Sequence, residues 1–338
     1  MIFNMVGGGG GSSTKSTIIV SIETGSTVAA YSDSSYTTLV KTASEKTTGE
    51  YWMTGLDNGT YYLKATKGSD VSTISYTISE YGVYRIAMAY RSVPVFTYSG
   101  TYEVVHDDDT TISNVGNYIG DWKIRFLTSG TLNISALCGA ADGIDIFAVG
   151  GGGGGGGGTS AAGSGGGGGY TANAYNQTVA ANTNYSITVG SGGTGGNNST
   201  NGATGGESHF GNMVSAAGGN GGVSNSTGAK GGAGGSGGGS ASATAADNKG
   251  GSNGGNGGGG ASGQGTTTYE FEDSNLALYA GGGAGSANFA TNGKGGAGGG
   301  GDYNVAGETN KGGGGGAYSS GQAKSGGSGI VIIRNARS

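Results

Sequence analysis

Proline is almost missing from this chain: Pro94 is the only one in 338 residues. Cysteine is equally scarce, and a lone Cys138 excludes an intrachain disulfide framework. His106 and His209 are the only histidines, which leaves little for acid–base or metal chemistry. Charged residues make up 11%, with 16 basic against 21 acidic, net −5. Such a balance offers no phosphate-neutralising surface, so nucleic acid is not an expected partner. No apolar run approaches the roughly 20 residues needed to cross a bilayer, so membrane insertion is not expected either. The opening Met1–Val6 has no basic n-region, which points to synthesis in a reducing cytoplasm without a signal peptide.

Glycine fills the space the other residues leave. Of 84 glycines, 67 lie at or beyond Gly150, and Gly150–Gly158 is an unbroken run of nine. Charge also divides near residue 150, with 9 basic and 14 acidic residues before it and 7 of each after it. The 189 residues from Gly150 onward include only 23 large apolar side chains, too few for an ordinary core. Ordering each residue costs about 1–2 kcal/mol, and glycine more than most, so a disordered linker is the plain alternative. Against it, strand-like segments flank the region, Ile144–Val149 before it and Ile330–Ile333 after it. Collagen is excluded, because it needs glycine at every third position and abundant proline.

A glycine run can adopt the extended threefold helix, with about 3.1 Å rise per residue and no internal hydrogen bonds. Every N–H and C=O then points outward and needs a partner when buried. Without side chains, neighbouring helices approach closely enough to bond to one another. Proline would delete a donor from such a bundle, so its absence fits. The runs from residue 150 show no strict period, so a solenoid of identical repeats is not expected. Running back and forth, they would place alternate interruptions at one end of a slab, as loops on a rigid scaffold.

The expected fold class is therefore mainly β with little or no α-helix: an N-terminal immunoglobulin-like β-sandwich, then a β base carrying a bundle of polyglycine II helices. Residues 1–14 read as a tail or anchor. Residues 15–93 read as the sandwich, with strands at 17–22, 27–31, 49–53, 59–65, 71–78 and 83–89 separated by turn signals such as Asp57-Asn58-Gly59. Trp52 is expected in its core. Residues 95–149 read as the base, in which Trp122, Ile124 and Phe126 share one face of an alternating strand. The bundle takes 150–338 and closes on a strand at 330–334.

Chemical motifs are sparse. G-x-G-x-x-G matches carry no information in a region this rich in glycine. Asp107-Asp108-Asp109 after His106 reads as a solvated turn, and no metal or cofactor site is expected. Cys138 and His209 have no nucleophile motif around them. No catalytic residue is assigned. The polar and aromatic interruptions have the composition of adaptable binding loops. The receptor-binding candidates they supply are Tyr269, Phe271, Phe289, Tyr303, Asn304 and Tyr318.

Two resemblances follow from motif order. Gly49-Glu50-Tyr51-Trp52, Leu56 and Gly59-Thr60-Tyr61-Tyr62-Leu63 resemble carboxypeptidase-regulatory-like and related immunoglobulin-like modules, which are spacers or binding modules. Trp122–Leu132, then Ile144–Val149 with its glycine run, then Gly169-Tyr170-Thr171 and Tyr185–Val189, then Gly326–Arg334, resemble the glycine-rich domain of bacteriophage and prophage tail and adhesin proteins. That second resemblance implies a non-enzymatic virion protein, a tail or fibre adhesin recognising a bacterial surface protein or glycan. Its N-terminal region would contact other virion proteins, and homo-oligomerisation stays open. The alternative is a purely structural virion component, such as a head fibre, decoration or tail spacer protein.

Overall fold

The computed structural model describes residues 15–337 apart from 23, 68–69, 89–92, 114, 119, 141–142, 160, 243, 245 and 287–292. The expected tail, residues 1–14, lies outside the described residues. The chain divides into two compact units. One runs up to Val95 and takes in Ser113–Gly120 and Ala136–Gly139; the other holds Phe96–Ile112, Asp121–Ser135 and Ala140 onward. Among the described residues the fold is mainly β, and helix is confined to three short 3-10 turns.

The first unit is a β-sandwich. Its strands are β1 Ser16–Ser21, β2 Thr27–Tyr31, β3 Leu39–Thr42, β4 Ser44–Thr47, β5 Glu50–Leu56, β6 Gly59–Lys67, β7 Asp70–Ile78 and β8 Val83–Ala87. They form sheets in the order β4-β5-β1-β8 and β3-β2-β6-β7. All pairings are antiparallel except β1 with β8. Alternation sends Ile18, Val20, Tyr51 and Met53 inward from one sheet, and Val28, Ala30, Leu63 and Ala65 from the other. Trp52 corrects the expectation of a core tryptophan. It sits between the inward Tyr51 and Met53, so the period of two turns it to the opposite face, half buried and paired with Ile19. β3 and β4 escape sequence reading because both are edge strands exposed throughout, with no buried face to impose a pattern.

The second unit combines a β base with a glycine lattice. Its strands are β9 Val95–Tyr98, β10 Tyr102–Val105, β11 Lys123–Phe126, β12 Gly130–Ala136, β13 Ile144–Val149, β14 Thr171–Gln177, β15 Asn184–Thr188, β16 Ser208–Phe210, β17 Val214–Ala216 and β18 Ile330–Asn335. The sheets run β10-β11-β18-β13-β14 and β17-β16-β15-β12-β9. The base is thus wider than residues 95–149, since β14 to β18 come from beyond the first glycine run. β13 and β18 pair antiparallel, Val149 opposite Ile330 and Ile144 opposite Asn335. The strands that lead into and out of the lattice are therefore neighbours. Every residue of β13 is buried, as are Trp122, Ile124 and Phe126.

The lattice continues from these strands. Gly150, Gly153 and Gly156 donate to Tyr170, Gly167 and Ser164 of an antiparallel rod. Gly151 and Gly154 donate to Gly206 and Ala203 of a second, and Gly152 and Gly155 to Gly327 and Lys324 of a third. The carbonyls do the reverse in parallel. They accept from rods carrying Gly193 and Gly196, Gly219 and Gly222, and Gly315. Six rods surround one, and the partner changes every residue with a period of three, as the threefold helix requires. Rods 162–170, 280–286 and 312–317 are enclosed in the same way, and they are buried almost throughout. A Cβ on Gly154 would lie 2.0 Å from the Thr194 carbonyl oxygen, and one on Gly152 2.0 Å from that of Gly313. Nothing larger than glycine fits at that separation.

Perimeter rods do show a local period. Ser191, Thr194 and Asn197 stand exposed at every third residue of one rod, and Asn201, Thr204 and Glu207 of another. A threefold rod with one face to solvent has room for a side chain at one residue in three.

Candidate functional site

Rod direction sorts the interruptions between two ends. Rod 150–157 leaves β13 and reaches its tip at Gly157 and Gly158, where Gly157 accepts from Asn225 and Gly158 from Gly321. Segments 158–162, 197–201, 224–230 and 318–322 therefore gather at this far end, the apex. Asn304 donates to Ala317 and Tyr303 to Gly293, which brings the 303–304 turn to the same end. Segments 171–188, 208–216, 266–279 and 309–311 fall at the opposite end, beside the sheets.

The candidate residues divide accordingly. Tyr303, Asn304 and Tyr318 are at the apex. Tyr269 and Phe271 are at the sheet end, and Phe289 lies outside the described residues. Phe271 is a correction: only 5% exposed, it packs on Phe147, Tyr279, Ile330 and Ile332. Its ring centroid is 5.8 Å from that of Phe147, and the Arg334 guanidinium lies 4.0 Å above its face. The scarcity of apolar side chains explains this, because the loop must supply the ring that covers β13 and β18. Tyr269 is half buried in the same segment, bridged to Leu278.

Segment 266–279 is fastened by charge as well. Lys123 is wholly buried, with Nζ 2.8 Å from Glu270 Oε1, 2.7 Å from Asp109 Oδ1 and 3.1 Å from the Asp107 carbonyl oxygen. Glu270 is also fully buried and accepts the Tyr279 hydroxyl at 3.1 Å. Burial, and then the Glu270 carboxylate, push the Tyr279 phenol well above its ordinary range. The acidic turn is thus more than a solvated loop. Asp109 holds Lys123, and Asp107 takes both terminal nitrogens of Arg337, at 2.5 and 2.6 Å. That pairing holds the Asp107 carboxyl below its usual value. Among the described residues no group of three or more His, Cys, Asp or Glu could hold a metal ion.

The apex is built differently. Rod ends leave N–H groups without lattice partners, and Asn and Ser side chains supply them. Ser224 Oγ accepts from Gly157 at 2.8 Å and Asn225 Oδ1 from Ala161 at 2.9 Å. Asn197 Oδ1 accepts from Ser199 and Thr200, closing its own turn. Asp302 accepts the Gly295 N–H at 2.9 Å and pairs with Lys294 at 2.6 Å, and the Lys294 bond holds its carboxyl low. At the same end Tyr303 and Tyr318 pack with ring centroids 5.7 Å apart. The Tyr303 hydroxyl bonds Ser319 Oγ at 2.8 Å. Tyr318 follows directly from an enclosed rod, its N–H on Gly156 O. Asn304 adopts φ 58°, and Val305 beside it is 51% exposed. This aromatic pair on a rigid rim can stack on a planar or sugar-ring partner, with amides and hydroxyls around it for hydrogen bonding.

Comparison with known proteins gives few relatives. No curated protein matches the chain. Among solved structures, a variant of BcpA, the major pilin subunit of Bacillus cereus, aligns at 10% identity with a TM-score of 0.21. That alignment covers 40% of this chain and 42% of the pilin, and a likeness so slight carries no argument. The decisive match is to a family model described as a glycine-rich domain; it spans residues 127–336, and through it the chain belongs to the glycine-rich domain family.

Proposed function

We propose that this protein is a non-enzymatic virion component, a phage tail or fibre adhesin whose apex loops contact a bacterial surface. The observation that carries the reading is the Tyr303–Tyr318 pair, held on the tips of a glycine lattice that offers no other aromatic side chain at that end among the described residues. A rigid scaffold with short polar loops loses little entropy on binding. The motif order shared with tail and adhesin glycine-rich domains points the same way. In this reading the N-terminal unit serves attachment to other virion proteins.

The test is flow cytometry of the labelled full-length protein on a panel of bacteria. A bound strain is expected, and Tyr303→Ala with Tyr318→Ala should weaken binding at least tenfold with an unchanged thermal melt. Tyr269→Ala, at the opposite end, should leave it unchanged. Binding to no strain, or binding indifferent to the apex pair, would favour a structural virion component instead.

A further inference from the structure

The glycine half has as many acidic as basic residues, yet the fold distributes them unevenly: Lys311, Arg334 and Arg337 lie at the sheet end with five of the seven acids, and the other four bases lie at or near the apex. Glu207, Glu270, Glu272, Asp273 and Glu308 lie in or next to sheet-end segments. Lys230, Lys249, Lys294 and Lys324 lie at or close to the apex. The Lys230 turn is tied to Ala241 through Gly228 and Ala229, and the Lys324 carbonyl accepts from Gly155 near the rod tip. Lys249 follows Asn248, whose carbonyl accepts from Gly285, one residue before the Ser286 that donates to Gly163 at the apical end of its rod.

Two acids share that end, and both are engaged. Asp302 is paired with Lys294. Asp247 Oδ2 accepts Ser242 Oγ at 3.0 Å and Thr244 Oγ1 at 2.5 Å. Lys230, Lys249 and Lys324 are exposed and form no ion pair among the described residues. The end that carries the aromatic pair therefore also presents three uncommitted cations, on a chain whose net charge is −5. Overall charge would repel a polyanion, so the local excess has to act at short range, within a Debye length of about 8 Å at physiological salt.

We infer that the apex ligand is an anionic surface glycan, whose phosphates or carboxylates meet Lys230, Lys249 and Lys324 while a sugar ring stacks on Tyr303 and Tyr318. This rests on the adhesin reading and names its ligand class. Charge complementarity favours it over a neutral glycan, and the regular spacing of charge along such a polymer suits three separated lysines.

Full-length protein is to be tested against immobilised poly(glycerol phosphate), polygalacturonate and neutral dextran by biolayer interferometry. Binding to at least one anionic polymer and none to dextran is expected, and the preferred polymer identifies phosphate or carboxylate as the partner. Raising salt from about 50 to about 500 mM should weaken binding at least tenfold. Lys230→Ala, Lys249→Ala and Lys324→Ala combined should do the same, and the three Lys→Arg changes should restore it. Equal binding to dextran, no binding to either polyanion, or an unaffected triple alanine variant would overturn the inference. If cells are still bound through Tyr303 and Tyr318 in those cases, the adhesin reading stands and the ligand is of another class.

Discussion

The two units bury their interiors by opposite means. In the sandwich, Ile18, Val20, Met53 and Leu63 fill the space between sheets with side chains. In the lattice, rod 150–157 is just as buried and has no side chains at all. A side-chain core is stabilised in proportion to the apolar area removed from water. A backbone core gains little from that effect and depends on many hydrogen bonds, each netting about 1 kcal/mol. The contrast teaches that mutational tolerance follows the kind of core. Adding one carbon costs about 1–3 kcal/mol where side chains can repack, and it is intolerable where carbonyls already stand at the contact limit.

The sharpest way to test this sets Gly154→Ala against Leu63→Ala. The new methyl would need to occupy space 2.0 Å from the Thr194 carbonyl. We expect Gly154→Ala to abolish the cooperative melt of the lattice, whereas Leu63→Ala should cost about 2–5 kcal/mol and leave the sandwich folded. Calorimetry of both variants reads this directly, and a Gly154→Ala protein melting like the wild type would break the comparison.

Lys123→Ala comes next. It leaves Glu270 as a buried carboxylate without its cation, a loss of about 3–5 kcal/mol. Replacing both, Lys123→Met with Glu270→Leu, should recover most of it, because the cost lies in the unpaired charge. Denaturant titration of the single and double variants measures the difference.

Acid should loosen the C-terminal clamp. Asp107 has its folded value depressed by Arg337, so its contribution is present above the ordinary aspartate range and lost as pH falls through the lower folded value. The hydrogen-exchange protection factor of β18, taken relative to the intrinsic amide rate at each pH, should fall on acidification below about pH 4, the ordinary aspartate value. Asp107→Asn should show that lower protection already at neutral pH. The smallest effect belongs to the lattice perimeter. Thr194→Ala changes an exposed side chain and should shift stability by less than about 0.5 kcal/mol.

Much of the architecture was legible beforehand. Alternation located most sandwich strands, and the residues around Trp122 revealed a buried face. The missing proline and the strands flanking the glycine runs led to polyglycine II rods. The edge strands β3 and β4 left no trace, since exposed strands need no pattern. Phe271 looked like a loop aromatic because nothing local shows that Phe147 and Ile332 need a cover. Lys123 and Glu270 are 147 residues apart, and a pair at that separation has no sequence spacing to announce it. The three-residue spacing of Ser191, Thr194 and Asn197 was missed, because it has meaning only once the lattice shows one face of that rod in solvent.

The sequence by itself determined that glycine would be the scaffold, because only a residue without a Cβ lets rods approach to hydrogen-bonding distance, and that proline would be kept out. Tertiary structure decided which interruptions share an end. Rods alternate in direction, so neighbours in sequence part to opposite ends while distant segments meet. Tyr303 joined Tyr318 in this way, Phe271 went under the sheet, and a charge balance of zero became an apex rich in lysine.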